Sequence, residues 1–292
     1  MRTLIDGGYF FEGLRWHDGA WWCSDIYAKQ VLRITPDGTK TVMAEVEGEP
    51  SGLGWLPDGD LLIASMHDRK LLRRRPDGEL VIHADLSGHI PFFINDMVVD
   101  THGRAYVGNF GFDIWNGAEP QSTFLTRVDP DGLIHREGDE LWFPNGTVIS
   151  GDGKTLIVAE SGAARLTAFT IGADGSLSDQ RIWAQLGESP PLASASDLAG
   201  LSFGPDGCAI DSLDRVWVAD AMGNRVCCVA EGGEILQIVS TGDQGVYACA
   251  LGGEDGHSLL MCAAPDFHAD KRMAEREATL LVATVGATAQ TF

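Results

Sequence analysis

The 292-residue chain has little positive charge: 21 Lys and Arg stand against 42 Asp and Glu, a formal net charge of −21 with His neutral. A chain so acidic repels phosphate backbones and anionic lipid, so nucleic acid and membrane surfaces are excluded as partners. No stretch approaches the roughly 18 apolar residues that a transmembrane helix needs. The opening "MRTLIDGGYFFEG" lacks the apolar core of a secretory signal. The expectation is a soluble, cytoplasmic protein. Paired C-x-x-C spacings of a zinc site are also missing. Cys23, Cys208, Cys227, Cys228, Cys249 and Cys262 sit mostly in apolar runs, which reads as buried free thiols. Long helical patterns are absent, and only "DKRMAEREA", Asp270 to Ala278, reads as helix.

What the chain does contain is a repeat. "EGLRWHDGAWWCSDI" from Glu12 resembles "SGLGWLPDGDLLIAS" from Ser51, "NDMVVDTHGRAYVGN" from Asn95 and "NGTVISGDGKTLIVAE" from Asn145. "DGCAIDSLDRVWVAD" from Asp206 and, more weakly, "YACALGGEDGHSLLMCA" from Tyr247 complete the set. Each unit is a short apolar strand, a Gly/Asp turn and a second apolar strand. Most units then add another strand pair around a turn, as in "KQVLRITPDGTKTVMAE". The first residues of successive units lie 39, 44, 50, 61 and 41 residues apart. Six units of about four antiparallel strands at this spacing predict an all-β, six-bladed β-propeller forming a single domain over residues 1–292. The sixth unit has three clear strands, ending in "ATLLVATV", and "RTLI" at the N-terminus has no partner of its own. Pairing these two ends closes the last blade and removes exposed edges.

In a propeller the first strand of every blade starts at the same end of the central channel. The residue just before each strand is therefore expected to point at the axis: Glu12, Ser51, Asn95, Asn145, Asp206 and Tyr247. This explains why Asn145-Gly146, a turn-forming pair, stands ahead of a strand whose own turn is the later "SGDGK". The Asn offers a side-chain oxygen, and the Gly lets the backbone enter the strand. Two carboxylates, Glu12 and Asp206, would converge with no Lys or Arg among the six positions, and a divalent cation is the simplest remedy. Oxygen donors from Glu12, Asn145 and Asp206, with Asn95 nearby, suit Ca²⁺ or Mg²⁺ better than zinc. Polar residues that only solvate a water-filled channel are the alternative.

The motifs "EGLRW", "IND" followed by "VVDTHGRAYVGN", "PNGTVISGDGKTLIVAE" and "PDGCAIDSLDRVWVAD" resemble, in order, those of the senescence marker protein, gluconolactonase and luciferin-regenerating enzyme family. The likeness spans nearly the whole chain. The resemblance implies hydrolysis of a lactone or related carboxylic ester by a protein holding one divalent cation. Ca²⁺ is the favoured ion, with Mg²⁺, Mn²⁺, Zn²⁺ and Fe²⁺ as alternatives. It assigns Glu12, Asn145 and Asp206 to the metal, Asn95 to metal and substrate, and Asp206 to the role of general base. Alternatives on the same scaffold are a phosphotriester or fluorophosphate hydrolase and a non-catalytic ligand-binding propeller.

The chain departs from the family at two places. Leu14 replaces the usual Pro after Glu-Gly. Phe93 stands where many sugar-lactonase members have Arg, two residues before Asn95, which points to apolar rather than sugar lactones. The segment Asn109 to Phe124 falls at the same end of the channel and is expected to carry Phe112 and Trp115 as a lid, or to be a surface loop. Trp115 joins Asn95 and Phe93 as the expected substrate contacts. His67 and His268, near second-strand ends, are expected in solvated or hydrogen-bonded surface positions, with a place in the pocket lining as the alternative. Asp25, Glu160 and Asp220 are expected at the pocket rim or just behind it. "GDGKT" imitates a phosphate-binding loop, but Val148 stands where its first Gly belongs, so it reads as a hairpin turn.

Overall fold

The structure is a computed structural model that describes residues 1–189, 192 and 194–290. Among the described residues, twenty-four strands form six four-stranded antiparallel sheets, each sheet built from strands consecutive in the chain except the last. The inner strands of blades 1 to 6 are Phe11–His17, Pro50–Trp55, Ile94–Val99, Pro144–Ile149, Pro205–Ile210 and Gly245–Gly252. The six-bladed propeller is thus the fold. In blade 6 the strand Ala278–Thr284 pairs with the N-terminal strand Arg2–Gly8, with Arg2 opposite Val282 and Gly8 opposite Ala278.

Burial falls from the axis outward. Second strands such as Ala20–Asp25 and Val216–Asp220 are buried throughout, whereas the outermost strand of blade 5, Ile235–Ser240, is almost entirely exposed. The apolar side chains form six clusters, one at each interface between neighbouring blades. A strand near the axis therefore has both faces covered, which is why these segments read as near-continuous apolar runs rather than alternating ones. All six cysteines are free and buried in these layers.

The expected helix is shorter and slightly earlier: α1 spans Ala269–Ala274. Ala278 is already needed by the blade 6 sheet, so the chain leaves helical geometry at Glu275. A 3₁₀-helix, Ala195–Gly200, precedes the inner strand of blade 5. No helix among the described residues is long and apolar enough to cross a membrane.

Candidate functional site

Each inner strand carries a register irregularity at its entry: between Glu12 and Arg15, Pro50 and Leu53, Ile94 and Met97, Pro144 and Thr147, Pro205 and Cys208, and Val246 and Ala248. The expected axis-pointing residues thus lie inside the strands, second in each from blade 1 to blade 5, rather than just before them. A bulge re-aims a side chain without ending the strand, and bulges concentrate at barrel rims for this reason. The following glycine also acts differently from expectation. Gly146 does not have a positive φ. A Cβ there would stand 2.4 Å from the Asp206 carbonyl oxygen of the next blade, and one at Gly13 would stand 2.2 Å from the Ser51 carbonyl oxygen. The glycines are required because adjacent inner strands nearly touch around the axis.

Five of the six axis residues, Glu12, Asn95, Asn145, Asp206 and Tyr247, line one cavity of about 780 Å³ at the channel mouth. Ser51 does not. It is buried, and its hydroxyl hydrogen-bonds the Asn95 Oδ1 at 3.3 Å, so it supports Asn95 from behind. Glu12 is buried and Asp206 half-buried with its Oδ1 shielded from solvent; desolvation and the neighbouring Asp96 push both pKa values well above the usual carboxylate range, and the Asp206 charge adds to the rise at Glu12. The one nearby cation, Arg15, is committed to Asp96, with Nη2 at 2.6 Å from Oδ1, and to the Met97 carbonyl oxygen at 2.6 Å. Asn145 donates from Nδ2 to Ser161 Oγ at 3.2 Å. Ser161, which donates to the Pro205 carbonyl oxygen at 2.6 Å, carried no sequence signal.

Among the described residues, two buried polar atoms here have no partner: Asn95 Nδ2 and Asp206 Oδ1. No group of three or more His, Cys, Asp or Glu side chains able to hold a metal occurs among the described residues. The donor set at the axis is instead two carboxylates and an amide. An orphaned carboxylate oxygen, a second unneutralised carboxylate and a neutral oxygen donor suit a hard divalent cation.

Above these polar residues stands an aromatic wall. Phe93 lies between two rings: His67 at 3.9 Å and 15° between planes, and Phe92 at 4.1 Å and 23°. Two rings stacked this closely on one must occupy its opposite faces. Trp115 covers the stack at 5.4 Å from Phe93 and continues to Phe110 at 4.9 Å, which meets Phe143 at 4.5 Å. Phe143 has φ 55°, a left-handed conformation that costs a bulky residue on the order of 1 kcal/mol or more. It is held there because Ser161 N–H donates to the Phe143 carbonyl oxygen at 3.1 Å and Trp142 N–H to Glu160 at 2.8 Å.

The Asn109 to Phe124 segment does reach the cavity, through Phe110 and Trp115. Phe112 is buried and does not line it. His67 and His268 both line the cavity, the first 3.2 Å from Glu49 Oε2. Asp25, Glu160 and Asp220 are absent from the cavity lining; they clasp the chain just ahead of their own blade's inner strand. Asp25 accepts from the Tyr9 and Phe10 N–H groups, Glu160 from Trp142 and Asp220 from Gly204.

A model of the SMP-30/gluconolactonase/LRE-like region matches residues 10–265. The chain belongs to this family. It is 27% identical to regucalcin of Danio rerio over 172 residues, covering 58% of this chain and 54% of that protein. It is 25% identical to the pentonolactonase XacC of Haloferax volcanii over 257 residues, 87% of this chain and 81% of the relative. A luciferin-regenerating enzyme structure superimposes with a TM-score of 0.79 at 19% identity, over 98% of this chain and 95% of that one, a likeness of fold.

Proposed function

We propose that this family member is a divalent-metal-dependent hydrolase of apolar lactones or related carboxylic esters, acting as a single-domain cytoplasmic protein. The observation that carries this reading is the pair of unneutralised carboxylates, the buried Glu12 and the half-buried Asp206 with its shielded, unpartnered Oδ1, beneath a wall of aromatic rings. Family membership and the named lactonase relative support it.

In this reading Glu12, Asn145 and Asp206 hold the cation, most favourably Ca²⁺. When bound, it supplies Lewis-acid polarisation of the substrate carbonyl, worth several kcal/mol. Asp206 accepts the proton of the attacking water at its carboxylate, which must be ionised to do so. Asn95 turns its unpartnered Nδ2 donor to an oxygen of the substrate, and Ser51 fixes which end of the amide faces the cavity. Phe93 presents its edge, since both of its faces are covered, and Trp115 with Phe110 completes the apolar wall. The Tyr27 phenol, pushed by burial up to about 12, stays neutral at the cavity side.

The test is chelation followed by reconstitution, assayed on alkyl, aryl and sugar lactones and on a phosphotriester. Loss of lactone hydrolysis with chelator and its return with one divalent ion is the expected result. Hydrolysis that survives complete metal removal contradicts the metal-dependent mechanism. Turnover confined to the phosphotriester contradicts the assignment of substrate class.

A further inference from the structure

We infer that the cavity selects substrates by charge as well as by apolarity, with the order cationic first, uncharged next and anionic last. The best substrate is a lactone or ester carrying a basic amine beside an apolar ring or chain. This rests on the hydrolase reading above and narrows its substrate class.

Among the described residues, five carboxylates line the cavity and no Lys or Arg does. A divalent cation held by Glu12 and Asp206 would balance those two. Three remain around the mouth on three separate elements: Glu49 just before the inner strand of blade 2, Asp113 in the loop after Asn109, and Asp270 in α1. Nearby guanidinium groups are already matched. Arg15 is bonded to Asp96, and Arg272, the buried residue of α1, lies 2.9 Å from Glu277, 3.2 Å from Glu275 and 3.3 Å from Asp266. Asp113 accepts from the backbone and side-chain nitrogens of Asn116 at 3.0 and 2.7 Å, both neutral donors that leave its charge uncompensated.

The rings act in the same direction. Aromatic faces attract cations, most strongly when the ring is an indole. Trp115 is 46% exposed and lies two residues from Asp113 on the same loop, so an indole and a carboxylate border one mouth. An organic ammonium finds both, whereas a phosphorylated, sulfonated or carboxylated lactone brings its charge among like charges. The chain's net charge of −21 works in the same direction during approach.

The experiment compares three dihydrocoumarins of matched size, substituted on the aromatic ring with aminomethyl, hydroxymethyl or carboxylate, using calcium-loaded protein at neutral pH. The expected kcat/KM order is aminomethyl, hydroxymethyl, carboxylate. The outer two should differ at least about tenfold, a gap that narrows as salt rises from about 20 to about 500 mM. Asp113→Asn and Asp270→Asn each reduce the ratio, and the double variant reduces it further, with unfolding temperatures confirming that the variants fold. A ratio within about twofold of one, or a preference for the carboxylate, overturns the inference. If none of the three is hydrolysed, the lactonase reading fails instead. The charge order is then read by calorimetric titration with benzylammonium, benzyl alcohol and benzoate, and equal or inverted affinities overturn it.

Discussion

The bottom of the cavity and its wall are built by opposite means. The polar residues at the bottom come from inner strands, each aimed by a bulge and locked where glycines let neighbouring strands touch. The wall comes from the segments between strands: Phe92 and Phe93 before the inner strand of blade 3, Phe110 and Trp115 in the loop after Asn109, and Phe143 before blade 4. Groups that carry chemistry gain from rigid placement, whereas groups that set specificity can change with a loop while the scaffold stays the same. The difference teaches that substitutions at the bottom should alter turnover, and substitutions in the wall should alter the choice of substrate.

The largest expected effect separates two residues at the bottom. Asp206→Ala removes the proposed metal donor and proton acceptor together, and is expected to lower kcat about 10² to 10⁴-fold even at saturating metal. Asn145→Ala removes a neutral donor, so it should weaken metal binding and recover much of its rate at high metal concentration. Equal residual rates at saturation would refute the role of Asp206 as base. Next comes the wall. Phe93→Arg breaks the three-ring stack and adds a donor for hydroxyls, so the ratio of kcat/KM for an alkyl lactone over a sugar lactone should fall about ten- to a hundredfold. An unchanged ratio, or a wild type that already favours the sugar, would place specificity elsewhere.

Both regions depend on the ring being closed, which a third change addresses. Deleting Met1 to Ile5 removes most of the strand that completes blade 6, including buried Ile5, and should cost more than about 2 kcal/mol of stability. Thermal unfolding at the wild-type temperature would contradict that closure.

The smallest expected effect sharpens the electrostatic side of the comparison. Without metal, the Glu12 carboxylate is disfavoured by burial, by Asp206 and by Asp96, and only partly relieved by Arg15. Its folded pKa is raised, so its contribution to stability is fully present below the ordinary value of 4.5 and is lost as pH rises through the folded value. Glu12→Gln should therefore unfold at a higher temperature than the metal-free wild type at pH 7, by a few degrees. The gap should close toward pH 4.5, and calcium should reverse the order because only the wild type keeps the full donor set. A variant less stable than metal-free wild type at neutral pH would show that the site is not strained by charge. Phe93→Leu, which leaves the carboxylates in place, should show no such pH-dependent gap.

Much of this arrangement was legible in the chain because it is local and repeated. A strand, a Gly/Asp turn and a second strand recur six times, and the polar residue at the head of each unit is visible against apolar followers. The acid–amide set of Glu12, Asn145 and Asp206 could be read without coordinates for the same reason. Arg15 was legible as a residue but not as a partner, since its ion pair with Asp96 joins blades 1 and 3 across the channel. Ser161 behind Asn145 and the clasping roles of Asp25, Glu160 and Asp220 likewise depend on where a strand end meets a preceding loop.

By itself, then, the sequence determined the blade count, the closing strand and the polar residues that head the inner strands, because alternation, glycine and turn residues act over a few neighbours and repeat. The tertiary structure alone decided which aromatic and acidic side chains meet at the mouth. Glu49, Phe92, Phe143 and Asp270 come from segments spread over more than two hundred residues, and no local pattern records which of them share a cavity. Nor does any local pattern give the second reason for Gly146, since the atom it makes room for, the Asp206 carbonyl oxygen, lies sixty residues on and arrives only when the ring has closed.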